Sequence, residues 1–108
     1  MELNEYQDFT DTTREIDKTP IILYTTFGLC GESGEVADKI KKAIRDADCV
    51  ITGQRREDIA KELGDVLWYV AQLSRDLGYN LEEIAQMNMM KLKDRLKRGV
   101  IGGSGDNR

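Results

Sequence analysis

The stretch Ile59-Ala60-Lys61-Glu62-Leu63-Gly64-Asp65-Val66-Leu67-Trp68-Tyr69-Val70-Ala71-Gln72-Leu73-Ser74-Arg75-Asp76-Leu77-Gly78 carries apolar side chains at 59, 63, 66, 67, 70, 73 and 77. Steps of three and four gather these residues into one stripe of an α-helix, a period that a strand cannot hold on one face. The run predicts a helix from about Arg55 to Leu77. Gly78 ends it, because glycine tolerates the left-handed conformation in which helices commonly stop. Asp58, Glu62, Asp65 and Tyr69 line up beside the stripe, at the edge of the buried face rather than opposite it.

The same reasoning extends outward. Pro20 follows Thr19, the pattern of an N-cap with proline at the first helical position. A second helix is expected from Pro20 to about Ala47, with Ile22, Leu29, Val36, Ile40, Ala43 and Ile44 at helical spacing. Residues 48–54 connect it to the next. Ahead of it, a first helix is expected from Asn4 to Arg14, with Leu3, Tyr6 and Phe9 as its apolar contacts. Asn80 caps a fourth helix carrying Leu81, Ile84, Ala85, Leu92 and Leu96 to about Arg98. Residues 99–108 hold too many glycines for a helix or strand. The chain therefore reads as one all-α domain over 1–108, a four-helix bundle over 1–98 followed by a glycine-rich tail. So short a chain has a small core of its own. The stripes on helices two and three are wide enough to predict burial against a second subunit, giving a homodimer or homotetramer.

Composition excludes several chemistries. The 108 residues include no histidine and only two cysteines. Ser-His-Asp and Cys-His catalysis, His-bearing zinc sites and Glu-x-x-His di-iron sites are all ruled out. A bound metal must then take oxygen ligands, which points to Mg²⁺ or Mn²⁺. Cys30 and Cys49 form no C-x-x-C motif and read as reduced thiols. A net charge of −4 gives no electrostatic reason to bind a nucleic-acid polymer. No apolar run spans a membrane, and the first residues lack the basic flank of a signal peptide, so a cytoplasmic protein is expected.

The stretch Gly31-Glu32-Ser33-Gly34-Glu35-Val36-Ala37-Asp38-Lys39 accepts two costs at once. Glycine costs about 1 kcal/mol against alanine inside a helix, and Glu32 and Glu35 repel on one face. With Lys39 they lie beside the apolar stripe of helix two, as Glu62 and Asp65 lie beside that of helix three. If the two helices pack antiparallel, the four carboxylates face one another across a cleft and raise one another's pKa. A divalent cation between them removes the conflict. Gly28, Gly31 and Gly34 then leave room for a ligand or a close helix approach. The plain alternative for either acidic pair alone is solvated surface charge.

Glu32-Ser33-Gly34-Glu35 followed by Glu62-Leu63-Gly64-Asp65 resembles the E-x-x-E, spacer, E-x-x-D pattern of the MazG-like nucleotide pyrophosphohydrolases. The flanks "GLCGESGEVADKIKK" and "ELGDVLWYV" and the end "NMMKLKDRLKRGVIGGSGDNR" extend the resemblance over most of the chain. One departure is Gly31, where some relatives carry a further glutamate. The resemblance implies Mg²⁺-dependent hydrolysis of (deoxy)nucleoside triphosphates to monophosphate and pyrophosphate. It implies Glu32, Glu35, Glu62 and Asp65 as metal ligands, with Glu32 the expected general base and Glu35 the other catalytic carboxylate. Phosphoribosyl-ATP pyrophosphohydrolase shares this carboxylate architecture, but its own flanking motifs are missing here. The reading from a different class is a non-catalytic helical dimerisation module with a structural cation.

Other polar residues carry two readings each. Lys39 and Lys42 are placed to hold the leaving pyrophosphate, or Lys39 simply pairs with Glu35 at i,i+4. Asn88, Lys91 and Arg95 form a polar line on helix four, where Asn88 contacts base or ribose or bonds to main chain. Tyr69 stacks on the nucleotide or edges the core. Trp68 is expected at a subunit interface rather than as a base platform, and Met87, Met89 and Met90 in packing. In the tail, Asp106 and Arg108 fold over a phosphate or remain disordered.

Overall fold

The computed structural model describes residues 1–15 and 21–108, and of Ile21 only its main chain. Four helices follow in order: α1 (Leu3–Thr12), α2 (Ile21–Asp46), α3 (Gly53–Asp76) and α4 (Leu81–Arg98), with no strand among the described residues. The expected Thr19–Pro20 start of the second helix lies outside those residues.

The ends of α3 and α4 follow the sequence signals. After α3, Gly78 takes φ +85, and the Tyr79 N–H donates back to the Ser74 carbonyl at 2.9 Å, closing a glycine-terminated cap. Asn80 then starts α4. Its Oδ1 accepts from the Glu83 N–H at 2.8 Å, and the Glu83 carboxylate accepts from the Asn80 N–H at 3.2 Å. This reciprocal pair satisfies two donors that a helix start leaves open. Gly99 ends α4 at φ +72.

α2 and α3 form an antiparallel hairpin, the largest contact of the fold. Two polar contacts fix its register: Thr25 Oγ1 donates to Asp76 Oδ2 at 2.9 Å, and Lys39 Nζ lies 3.4 Å from Glu62 Oε1. α1 lies on α3, and α4 packs against α1 and α3.

The α1–α3–α4 junction is polar. Gln7 is fully buried; its Nε2 donates to the Ala71 and Tyr79 carbonyls, and its Oε1 accepts from the Leu81 N–H. Gln72, also fully buried, donates to Thr10 Oγ1 and Asp11 Oδ1 and accepts from Arg14. Among the described residues no buried side-chain polar atom lacks a partner, so the junction escapes the penalty of about 1–3 kcal/mol for each unsatisfied group.

The apolar stripes behave differently from expectation. Among the described residues, Ala43, Ala71 and Leu81 are the buried hydrophobic ones. Leu3 and Phe9 of α1, Ile22, Ile40 and Ile44 of α2, Leu63, Leu67 and Leu77 of α3, and Leu92 and Leu96 of α4 are exposed. Met87, Met89 and Met90, expected in packing, are exposed too. On α1 the inward residues are instead Tyr6, Gln7 and Thr10. The helices are where the periodicity puts them, but one chain supplies no neighbour for much of the apolar face.

Candidate active site

Because α2 and α3 run antiparallel, residues ascending on one helix face residues descending on the other. Glu32 from α2 meets Glu62 and Asp65 from α3. One carboxylate oxygen of each lies within 4.8 Å of the others. Glu32 and Glu62 are half-buried and Asp65 is exposed. Burial pushes the Glu32 carboxyl above its ordinary range, and the charges of Asp65, Glu62 and Glu35 add to the effect. Removing one solvent face from an acid that already faces two others makes its negative form costly. Three hard oxygen donors at this separation suit a Mg²⁺-sized ion, whose charge would relieve that cost. Glu35 stands outside this trio and is exposed.

A hollow of about 340 Å³ opens beside Glu32 and Asp65, and its walls include Tyr24, Trp68, Tyr69 and Thr13. The Trp68 ring meets Tyr69 edge-on with centroids 4.9 Å apart, and its Nε1 donates to Thr13 Oγ1 at 2.7 Å. Tyr24 and Tyr69 lie 6.4 Å apart. Burial, followed by the neighbouring Tyr24, raises the Tyr69 phenol above its ordinary range, so the ring stays neutral beside the acids. Trp68, expected at a subunit interface, lines this hollow and is half-buried.

At the other end of the groove a smaller hollow of about 160 Å³ is lined by Lys39, Lys42, Arg55 and Asp58. Lys39 bridges to Glu62 on the opposite helix rather than to Glu35. Lys42 bridges to Asp38 at 2.7 Å, and hydrogen bonds from Lys41 and Lys42 hold the Asp38 carboxyl down at about 2.

The residues expected on α4 lie elsewhere. Lys91 Nζ reaches Asp106 Oδ1 at 2.9 Å, and the buried Arg95 guanidinium donates to the Asp106 carbonyl and carboxylate. Both therefore hold the tail, on a helix that packs against α1 and α3. Asn88 is exposed. The glycines also separate. A Cβ on Gly28 would fall 2.0 Å from Tyr69 Cε1, whereas Gly31 and Gly34 face open space. Tyr24 and Arg55 went unread as site residues. Their signal was spacing: Arg55 precedes Glu62 by seven residues and Tyr24 precedes Glu32 by eight, each about two turns along the same helix.

Residues 23–100 match the model of the MazG nucleotide pyrophosphohydrolase domain. The chain belongs to the MazG family. That span begins beside Tyr24, contains all four carboxylates of the E-x-x-E and E-x-x-D pairs, and ends just after α4. The MazG-family chain is also 52% identical over 94 residues to the "Gene 37 protein" of Mycobacterium phage L5, a match covering 87% of this chain and 82% of the phage protein. No solved structure matches it. Among the described residues no helix is long and apolar enough to cross a membrane.

Proposed function

We propose that this protein hydrolyses (deoxy)nucleoside triphosphates to the monophosphate and pyrophosphate with Mg²⁺ as cofactor, Mn²⁺ being able to substitute. The observation that carries the proposal is the convergence of Glu32, Glu62 and Asp65 in a groove with aromatic walls on one side and cations on the other. Family membership supports the reaction class.

Glu32, Glu62 and Asp65 would hold the cation, and Glu35 extends the ligand set only if its side chain swings toward them. When bound, the ion supplies charge neutralisation for the phosphates. Cleavage after the α-phosphate then needs an oriented water and a proton acceptor. Glu32 is drawn into the trio, so its first role is as a ligand. Glu35 follows one turn later on the same side of α2 and accepts the proton of the attacking water. The water oxygen bonds to the α-phosphorus as the bond to the bridging oxygen breaks, and pyrophosphate leaves. Tyr69 fits a contact with the nucleoside. Lys39, the cation nearest the acids, fits a contact with the departing phosphates, and Lys42 lies one turn beyond it. Asn88, Lys91 and Arg95 reach the substrate only from another copy of the chain.

A homo-oligomer, dimer or tetramer, accounts for the exposed stripes. The accessible surface is 7793 Å² for a 12.3 kDa chain, where a folded monomer of that mass exposes about 6,100 Å². The excess, about 1,700 Å², is roughly twice what one partner contributes to a standard interface. Phe27 at 68% exposure and Leu96 at 70% belong to the surface to be covered. Light scattering coupled to gel filtration should give an integral multiple of 12.3 kDa; a monomer at micromolar concentration would refute the assembly.

Anion-exchange analysis of products from a nucleotide panel with Mg²⁺ tests the reaction. Monophosphate with pyrophosphate is expected. Diphosphate with orthophosphate would overturn the bond assignment. No turnover by folded, Mg²⁺-bound protein would leave a helical module with a structural cation.

A further inference from the structure

Arg55 is the one cation lining the small hollow that takes part in no hydrogen bond or ion pair among the described residues. Lys39 is engaged with Glu62 and Lys42 with Asp38. Arg55 rises half-buried from the first turn of α3. The Thr52 side chain makes no cap bond there, so it takes none of the main-chain N–H groups that a helix start leaves open. The acids around the hollow have nearer partners: Asp58 accepts from Gln54 Nε2 at 2.7 Å, Asp38 binds Lys41 and Lys42, and Asp46 pairs with Arg45 at 2.7 Å, Arg55 acting on it only by charge at longer range. The hollow thus gathers one unbridged guanidinium and two lysines beside a single acid, Asp58, a combination suited to an anion with several oxygens.

Its position gives the ligand a direction. Along α3 the order is Arg55, Glu62, Asp65, then Trp68 and Tyr69; along α2 the reverse order is Lys42 and Lys39, Glu32, then Tyr24. The carboxylate trio therefore sits between an aromatic hollow and a basic one. Arg55 is two turns, about 10 Å, from Glu62 along the helix axis. We propose that the hollow of Lys39, Lys42 and Arg55 seats the terminal phosphates of the substrate and then the pyrophosphate product, with Arg55 the residue that separates triphosphates from diphosphates. The nucleotide then lies in one direction only, base against Tyr24 and Trp68, α-phosphorus at the acids, terminal phosphates toward Arg55. The inference rests on the pyrophosphohydrolase reading but has its own test.

Calorimetry would measure binding of inorganic pyrophosphate with Mg²⁺ to the full-length protein, to Arg55→Gln, and to Arg56→Gln as an exposed control outside the hollow. Arg55→Gln should weaken pyrophosphate at least tenfold and Arg56→Gln should leave it unchanged. In kinetics, Arg55→Gln should raise KM for a triphosphate about tenfold and leave KM for the matching diphosphate alone, which separates recognition of the terminal phosphate from binding of free product. Equal pyrophosphate affinity in Arg55→Gln and the natural protein would overturn the assignment, as would equal losses on triphosphate and diphosphate. If the natural protein hydrolyses triphosphates while Arg55→Gln is unaffected, the activity stands and this subsite falls. If no nucleotide is turned over but pyrophosphate binding still depends on Arg55, the activity falls and the anion seat stands.

Discussion

Gly28 on α2 lies against the ring of Tyr69 on α3, so closely that a Cβ at Gly28 would come within 2.0 Å of Cε1 and 2.4 Å of Cζ. No side chain occupies such a distance, and an aromatic ring held by neighbours on both sides cannot give way by a small torsion. Gly28→Ala must displace Tyr69 and, through its edge-on contact, Trp68. Alanine gains about 1 kcal/mol in helix propensity, while overpacking costs about 1–3 kcal/mol. The variant is expected to be less stable by denaturant titration and to show altered emission from Trp68, the single tryptophan of the chain. An alanine variant with unchanged emission and higher stability would mean the ring is not seated on this glycine.

The carboxylates divide into two roles that mutagenesis can separate. Replacing Glu62 by Gln together with Asp65 by Asn removes two of the three converging acids. Stabilisation by Mg²⁺, about 2.7 kcal/mol when the ion stands at a hundred times its Kd, should vanish along with turnover. Glu35→Gln should keep most of the Mg²⁺-induced rise in Tm but lose about 10²–10⁴-fold in kcat, the ordinary worth of a general base. Equal loss of metal stabilisation in both variants would make Glu35 a ligand instead.

Helix positions and the acidic centre were legible in the sequence because both depend on local spacing. The stripe from Ile59 to Leu77 placed α3, Gly78 and Asn80 marked the turn into α4, and the paired acids marked the groove. The structure brings Glu32 together with Glu62 and Asp65 and leaves Glu35 outside, a distinction among side-chain directions that residue types do not encode. Burial was not legible for a related reason. Periodicity says that Leu63 and Leu67 share a face, not which chain covers it. The polar junction through Gln7 and Gln72 carries no apolar signal at all, so of the expected α1 contacts Leu3, Tyr6 and Phe9 only Tyr6 turns inward, beside the buried amide of Gln7. Lys91 and Arg95 belong to the polar line expected to meet substrate, because their partner, Asp106, lies in a tail that periodicity cannot place.

Arg14 and Asp76 form an ion pair at 2.8 Å with side chains only 12% and 9% exposed. Asp76 also accepts from Thr25, so one carboxylate ties the segment after α1 and the start of α2 to the end of α3. Removing Asp76 takes away the acceptor shared by Arg14 and Thr25, and breaking a buried pair from one side costs about 3–5 kcal/mol. Asp76→Ala should therefore be severely destabilised in urea titration. Glu57→Ala, which removes an exposed i,i+4 partner of Lys61, should change stability by less than about 1 kcal/mol. Similar small losses in both would show that water shares the Arg14 site.

The tail is ordered by charge, although four of its ten residues are glycine. The Arg108 guanidinium donates to the Ile101, Gly102 and Gly105 carbonyls, and Arg98 donates to the Arg108 main-chain oxygen. Asp106 docks this knot onto α4, and hydrogen bonding and charge from Lys91, then Arg95, hold its carboxyl below the ordinary range. A carboxyl whose pKa is lowered by folding contributes fully above its unfolded value and is lost as pH falls through the folded one. Docking should therefore be intact above about pH 4 and loosen below it. Two-dimensional NMR of residues 99–108 should show dispersed amide resonances at pH 7 that collapse toward random-coil positions in acid. Asp106→Asn should show part of that collapse already at pH 7, and Arg108→Ala most of it. Dispersed tail signals in Arg108→Ala would mean that the glycine turns at 99, 103 and 105 hold the fold without the guanidinium.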